Sequence, residues 1–363
     1  MATTLLGQTP PADSQPAPSS APPAWSAGPI DFSGLIDGYY SFNFNHPASR
    51  TNNLRNFDVR ANSFSLNMAK LVAEHAPDPV GFRVDLGFGR AWDVIHATEP
   101  FAEGRGLMRL IPQAYLSVKP ANAGGFQFDF GKFYTSAGAE LTETHLNWNY
   151  SRAFLYANGP YYHFGARVSK PVTSFWTAGF QLVNGWNNVE DNNSGKTVGF
   201  TSALTSKKVS LFNNYYVGPE KTDTNEGIRH FIDTVVLLTP HDKASFYVNY
   251  DYGVDKKVKG STGTDSVFQG IGVAARFAAN SWFAISPRFE YYKDRDGFIT
   301  LVAQALKEFT ITAEMKMQKG FLTRFEYRRD WSDKPYFDRG NQTGNHKSMD
   351  TLLVGFVVYF GPK

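Results

Sequence analysis

An alternation of apolar and polar residues with a period of two recurs along nearly the whole chain after residue 29. In residues 30–45, apolar residues or glycine occupy every even position, and mostly polar residues lie between them. A period of two is typical of a β-strand with one apolar face, whereas a helix repeats every 3.6 residues. We count about sixteen such segments, beginning near residues 30, 57, 80, 107, 125, 160, 173, 196, 208, 228, 243, 266, 281, 308, 319 and 350. No segment of comparable length has helical periodicity, so the chain is predicted to be all-β.

The links between these segments alternate between short and long. Short links lie at 76–79, 120–125, 170–173, 206–208, 239–243, 279–281 and 318–320. Longer links lie at 46–56, 97–106, 135–159, 185–195, 218–227, 253–265, 293–307 and 332–349. This alternation is expected of an antiparallel up-and-down transmembrane β-barrel of about 16 strands, with short periplasmic turns and long external loops. A soluble β-sandwich does not predict it, and would place many outward-facing Phe and Tyr residues in water.

The hydropathy of the chain agrees with a barrel. The longest apolar run, residues 352–360, is far shorter than the roughly 20 residues of a transmembrane helix. Mean hydropathy is −0.34, and alternating strands keep this average polar even when one face meets lipid. A closed sheet bonds every backbone group and can therefore cross hydrocarbon. Aromatic residues, 15% of the chain, suit the two interfacial girdles of such a barrel.

Residues 1–29 differ in composition from the rest. They are rich in Pro, Ala, Ser and Thr, and Asp13 is their only charged residue. They lack the basic and apolar regions of a signal peptide, so we expect a flexible leader from which the signal has been removed, followed by the barrel at 30–363. The chain contains no cysteine, which excludes disulfides and thiol chemistry. A net charge of +3 gives no reason to expect a nucleic-acid partner.

Two regions resemble a known family. Residues 131–140 (GKFYTSAGAE) with 149–152 (NYSR), and residues 324–337 (RFEYRRDWSDKPYF), are similar to the β-barrel porin-2 family, the OmpL-like outer-membrane proteins of Gram-negative bacteria. The resemblance extends over nearly the whole chain after the leader. It implies an integral outer-membrane, porin-like barrel, and it supplies no catalytic residues.

Alternate residues of each strand are expected to face the lumen, where charged side chains tune selectivity. The lumen-facing charged residues predicted in this way are Arg83, Asp85, Asp129, Arg167, Arg276, Arg288, Glu290, Glu314, Lys316, Arg324, Glu326 and Arg328. Arginine outweighs acid in the late strands, which suggests a weak anion preference. The alternative is that these charges pair across strands and brace the wall.

The link at 135–159 is the longest and follows the fifth strand, so it would be the third external loop. In general porins that loop folds inward, which is an analogy of fold and not a derivation. The link contains Glu140, Glu143 and Arg152. We expect it to form the constriction, with both glutamates facing a basic wall of arginines at positions 83, 167 and 288. The alternative is a loop that covers the mouth or packs in a subunit contact.

No enzymatic site is predicted. Ser194-Gly195-Lys196-Thr197 ends like a phosphate-binding loop, but Glu190 stands where the first glycine is required. The histidines lack paired metal-ligand spacing, no Ser–His set is evident, and we expect no cofactor.

The sequence therefore predicts an outer-membrane porin for passive diffusion of small hydrophilic solutes or ions through a water-filled, charged constriction. Expected partners are membrane lipid, these solutes and two further copies in a homotrimer. The alternative function is a plugged or scaffolding barrel that anchors a partner protein and does not conduct.

Overall fold

Sixteen strands form one barrel in the described part of the chain. The computed structural model describes residues 26–97, 99 and 105–361. The strands, numbered in chain order, are β1 (Ile30–Asn43), β2 (Ser63–His75), β3 (Val80–Phe88), β4 (Ala114–Val118), β5 (Gln127–Tyr134), β6 (Tyr162–Pro171), β7 (Trp176–Val183), β8 (Thr197–Thr205), β9 (Val209–Pro219), β10 (Ile228–His241), β11 (Ala244–Asp255), β12 (Ser266–Ala278), β13 (Phe283–Asp294), β14 (Gln304–Gln318), β15 (Phe321–Ser332) and β16 (Ser348–Phe360).

Each strand pairs antiparallel with the next one along the chain, and β16 pairs with β1. The closing register runs from Thr351 opposite Asn43 to Phe360 opposite Gly34. Closure removes both sheet edges, so the backbone N–H and C=O groups of every strand have neighbours to bond. The predicted all-β, sixteen-stranded, up-and-down barrel is confirmed.

The period-two pattern places apolar side chains outside and polar ones inside. On the closing pair of strands, Phe356 is 50% exposed and Ile36 is 59% exposed, and both face outward. Their neighbours Asp37 and Ser41 face inward and are fully buried. The outer surface is thus an apolar band, and the inside is filled mainly by polar and charged groups, as a barrel in a membrane requires.

Links between strands alternate in length, as predicted. The short turns lie at one end of the barrel, together with the start of β1 and the end of β16. Two predicted strand starts, near 57 and 107, are wrong by six or seven residues. Residues 44–62 form a loop whose Phe57 is fully buried, and the region around 107 contains a short helix, Arg105–Met108. A buried aromatic residue in a loop imitates the alternation of a strand.

Several short elements complete the described chain. They are the helices Arg90–Ile95 and Phe154–Asn158, a 3₁₀ turn at Thr144–Leu146, and the short strands Ser26–Ala27, Phe337–Arg339 and Gln342–His346. Within the described residues, none of the helices has the length and apolar character needed to cross a bilayer. Most of the predicted leader, residues 1–25, lies outside the described residues.

Candidate functional site

The loop after β5, residues 135–161, folds into the barrel, and we call it the inner loop. The hydroxyl of Tyr150 donates to Asp37 of β1 at 2.6 Å. The side-chain amide of Asn149 donates to the hydroxyl of Thr312 at 2.8 Å. Thr312 belongs to β14, which lies almost opposite β5 in the ring of strands. The inner loop therefore crosses the lumen.

Two glutamates of the barrel wall, which is the ring of strands β1 to β16, accept hydrogen bonds from backbone N–H groups of the inner loop. Glu326 accepts from the N–H of Tyr150 at 2.6 Å and from that of Ser151 at 3.0 Å, one to each carboxylate oxygen. Glu290 accepts from the N–H of Phe154 at 2.5 Å. A loop without a β-ladder leaves such donors unbonded, and a buried unbonded donor costs about 1–3 kcal/mol. The two carboxylates thus accept the hydrogen bonds that a neighbouring strand would accept in a β-sheet.

Three wall arginines, Arg288, Arg324 and Arg328, bind the carbonyl groups of the inner loop, and we call them the arginine row. Arg288 donates to the carbonyl of Ser151 at 2.8 Å, and Arg328 donates to that of Arg152 at 2.6 Å. Arg324 donates to two further loop carbonyls at 2.6 and 3.1 Å. All three side chains are at most 1% exposed.

Each arginine of the row also pairs with a carboxylate of the wall. The pairs are Arg288 with Glu308 at 2.8 Å, Arg324 with Glu314 at 2.6 Å and Arg328 with Asp330 at 2.8 Å. Removing one partner of a buried ion pair typically costs 3–5 kcal/mol, because the other charge is left uncompensated. The row is therefore held rigidly against the wall while it binds the loop.

The inner loop contributes acidic groups of its own. Glu140 pairs with Arg288 at 2.5 Å, and Glu143 pairs with Lys70. Lys70 in turn pairs with Asp85 at 2.7 Å. Burial alone would raise the pKa of Glu143, but the Lys70 ammonium outweighs burial and holds this pKa below its usual value. The loop is thus fixed by ion pairs at two separate points of the wall.

Apolar contacts fill the space beside these polar ones. The ring of Trp148 lies 5.1 Å, centroid to centroid, from the ring of Tyr247, within a buried cluster of wall residues. At Gly355 of β16, a Cβ atom would lie 2.3 Å from the ring of Tyr150. A side chain at position 355 would collide with the loop, so this glycine permits the close approach of Tyr150.

Eight of the predicted site residues belong to the inner loop or contact it directly. They are Glu140, Glu143, Arg152, Arg288, Glu290, Arg324, Glu326 and Arg328. Arg152 does not face the lumen as a free charge, because it donates to the carbonyls of Leu141 at 2.9 Å and Thr142 at 2.7 Å. Arg152 therefore joins two parts of the inner loop to each other.

The remaining predicted residues lie away from the loop. Asp85 is linked to it only through Lys70. Arg83, Arg167 and Arg276 are half-buried, and each pairs with a neighbouring carboxylate at 2.6–3.0 Å. Of the three arginines expected to face Glu140 and Glu143, only Arg288 forms an ion pair with one of them. Arg83 and Arg167 form ion pairs with carboxylates of neighbouring wall residues instead.

Sequence reasoning missed several residues of this site. Asp37 and Glu308 stand in clear alternations, and parity alone would have identified both, since Glu308 shares the parity of Glu314. Lys70 was harder to find, because the register between β1 and β2 shifts opposite Asp37 and Gly38. This irregularity breaks the alternation of β2 just before Lys70.

Among the buried charged residues of the described chain, acidic side chains predominate. Seventeen Asp or Glu residues are buried there, against seven Lys or Arg residues. Asp233 and Asp251, which lie opposite each other in the β10–β11 register, are among them. The excess of arginine on which the expected anion preference rests is not found among the buried residues as a whole. Residues 26–97, 99 and 105–361 contain no group of three His, Asp or Glu residues that could hold a metal ion.

Comparison with known proteins agrees with this architecture. The family model described as putative beta-barrel porin-2, OmpL-like, matches residues 29–360. No curated protein sequence matches the chain.

Several solved structures are similar in fold. An anion-selective porin from Comamonas acidovorans is 11% identical over 91% of this chain and 99% of its own, with a TM-score of 0.60. The trimer form of OmpT, an outer-membrane protein of Vibrio cholerae, is 12% identical over 91% and 99%, with a TM-score of 0.58. The outer-membrane channel DcaP of Acinetobacter baumannii is 12% identical over 92% and 97%, with a TM-score of 0.59. Identities this low support the fold alone.

Replacing Glu326 with Gln is expected to loosen the inner loop. The variant loses the charge that accepts from the N–H groups of Tyr150 and Ser151, and hydrogen bonds to a charged group contribute about 1.5–3 kcal/mol. Hydrogen exchange of these two amides should accelerate by roughly ten-fold or more. Glu74→Gln, which removes a half-exposed carboxylate away from the loop, serves as the control. Equal exchange in Glu326→Gln and the native chain would contradict the anchoring role.

Proposed function

The chain belongs to the putative beta-barrel porin-2, OmpL-like family, and on that premise we propose that it is a channel for passive diffusion of small hydrophilic solutes or ions. It is an integral outer-membrane barrel. A barrel of sixteen strands is wide enough to enclose an aqueous channel. The proposed role is non-enzymatic and uses no cofactor.

The position of the inner loop is the observation that carries this proposal. Bonded to Glu290 and Glu326 on one wall and to Lys70 on another, the loop reduces the open cross-section of the lumen. A narrow section lined by charged groups selects solutes by size and by charge. We assign the constriction to the inner loop together with the arginine row.

The charge of the buried residues favours cations. The buried acidic residues outnumber the buried basic ones, and a confined site with low-dielectric walls concentrates ions of the opposite sign. Most of the arginine row is neutralised by Glu140 and by wall carboxylates. The proposed preference is therefore for small cations, opposite to the preference suggested by the sequence.

One observation favours the second candidate, a plugged barrel that serves another role. The arginine row is almost fully buried beneath the inner loop, and two buried apolar clusters join side chains of that loop to the barrel wall. A loop held this tightly can close the lumen. In this case the barrel would anchor a partner and would conduct only after the loop moves.

Reversal potential in a planar bilayer under a KCl gradient tests the proposal. We expect stepwise, ohmic currents and a reversal potential whose sign is set by K⁺. Arg83 and Glu74 form one half-exposed ion pair, 3.0 Å apart, on the inner wall, and they give a matched pair of variants. Glu74→Gln should reduce the cation preference, whereas Arg83→Gln should increase it, because each removes one sign of charge from the same place.

Three outcomes would count against the proposal. A reversal potential set by Cl⁻ would overturn the cation preference. Equal shifts in both variants would show that this pair is structural only. A correctly folded barrel without conductance would contradict the diffusion channel and leave the plugged barrel.

A homotrimer is the oligomeric state we propose, and the short strands mark the surface between subunits. β3 to β8 contain 5–10 residues each, whereas the other ten strands contain 11–15. β4, with 5 residues, spans about 13 Å along the membrane normal at a tilt near 40°, about half of the apolar band. Its outward Leu116 and the neighbouring Phe130 are 44% and 46% exposed. We therefore expect the outward face of these short strands to contact another subunit and not lipid.

Light scattering of the detergent-solubilised protein tests this surface. The double variant Leu116→Gln with Phe130→Gln should dissociate to monomers, because it removes the apolar contact between subunits. The matched control is Ile311→Gln with Phe309→Gln on the long strand β14, whose side chains are each 39% exposed, and this variant should stay trimeric. A monomeric native protein, or dissociation of the control alone, would contradict the assignment.

A further inference from the structure

A polar cleft opens at the external rim of the barrel, where β1 ends and β2 begins. Its volume is about 820 Å³, and its lining consists of His46, Pro47, Arg50, Arg60, Asn62, Ser63, Phe64 and Ser65. Two arginines and a histidine thus share one cleft whose lining contains no Asp or Glu. This composition differs from that of the buried charged residues, among which acids predominate.

The loop at 44–62 brings the two arginines together. An isolated bridge pairs Thr51 with Arg60, and the backbone N–H of Ala61 donates to the carbonyl of Arg50 at 3.0 Å. Arg50 and Arg60 consequently sit on adjacent, hydrogen-bonded pieces of chain. Three residues lining the cleft, His46, Arg50 and Asn62, have positive φ values of 47–53°, so the loop is bent sharply around the cleft.

Neither guanidinium group has a hydrogen-bond or ion-pair partner within the described part of the chain. Both side chains are exposed, and neither guanidinium group donates a hydrogen bond or forms an ion pair among the described residues, although the backbone N–H of Arg60 donates to the hydroxyl of Tyr39 at 2.9 Å. Arg55 of the same loop behaves differently, since it is buried and pairs with Asp58 and Asp330. The loop therefore uses one arginine for structure and leaves two free at the surface.

The cleft lies directly above lipid-facing aromatic residues. Phe64, part of its lining, is 83% exposed, and its ring lies 4.8 Å from that of Tyr40. The ring of His46 packs edge-on against Phe42 at 5.1 Å, and Phe44 packs against the same ring at 5.0 Å. Cationic and polar groups thus stand at the rim, with an apolar surface next to them on the membrane side.

We propose that this cleft binds the phosphate headgroup of an anionic lipid in the outer leaflet. Arginine guanidinium groups bind phosphate oxygens through paired hydrogen bonds, and basic pockets beside the hydrocarbon region bind phosphorylated headgroups. Phe64 and its aromatic neighbours contact the acyl chains while Arg50 and Arg60 bind the phosphate. A free phosphate ion would gain nothing from the apolar half of this surface.

Native mass spectrometry of the detergent-solubilised, full-length protein tests the proposal with defined probes. The probes are dioleoyl phosphatidic acid, dioleoylglycerol, which has the same acyl chains without the phosphate, and inorganic phosphate. We expect one phosphatidic acid to bind per chain, and binding should fall roughly ten-fold or more in Arg50→Gln with Arg60→Gln. The matched control is Lys257→Gln with Lys259→Gln, which removes two exposed charges from the distant loop at 256–265.

A third variant separates the two halves of the cleft. Phe64→Ala should weaken phosphatidic acid binding with both arginines intact, because it removes the apolar contact. Folding of each variant is checked by circular dichroism and by the heat-dependent shift of its electrophoretic mobility. Equal binding of dioleoylglycerol, full competition by inorganic phosphate, or an equal loss in the lysine control would overturn the proposal.

Discussion

The need to bond every backbone N–H and C=O group is the constraint on which this structure depends. The wall meets it by closing β16 onto β1, which leaves no unpaired edge in the hydrocarbon. The inner loop has no ladder, and it meets the same need with wall side chains. Glu290 and Glu326 accept from its N–H groups, and the arginine row donates to its carbonyls. The main role of these charged lumen residues is therefore to hold the inner loop across the barrel. Any selectivity between ions arises from the lumen charges that do not bind the loop.

Much of the fold could be predicted from the sequence, because a strand needs only a local pattern of period two. The alternation of link lengths then determined the topology without any contact information. The inner loop was harder to predict, since its position depends on pairs such as Tyr150 with Glu326, which are 176 residues apart. Nothing in the local sequence of either residue indicates that partner. A register shift between β1 and β2 had a second effect, because it breaks the alternation of β2 just before Lys70 and so hides the face of this residue.

The sign of the lumen charge shows how such omissions matter. Counting only the residues with a clear parity gave an excess of arginine, whereas the structure buries more than twice as many acids as bases. Asp233 and Asp251 illustrate the difference, since they face each other on neighbouring strands and were not counted. Basic residues without a partner occur instead at the external rim, where Arg50 and Arg60 line the cleft. Inside the barrel the arginines are paired with acids, whereas the side chains of Arg50 and Arg60 at the rim have no such partners among the described residues.

Single-channel conductance after removal of the inner loop tests the central claim most directly. In this variant a short Gly-Ser linker replaces residues 139–152, and in the control the same linker replaces residues 257–263 of an external loop. If the inner loop forms the constriction, the first variant conducts several-fold more than the native barrel and the control does not, since conductance follows the narrowest section of the pore. A folded variant whose conductance equals that of the native barrel would contradict the account.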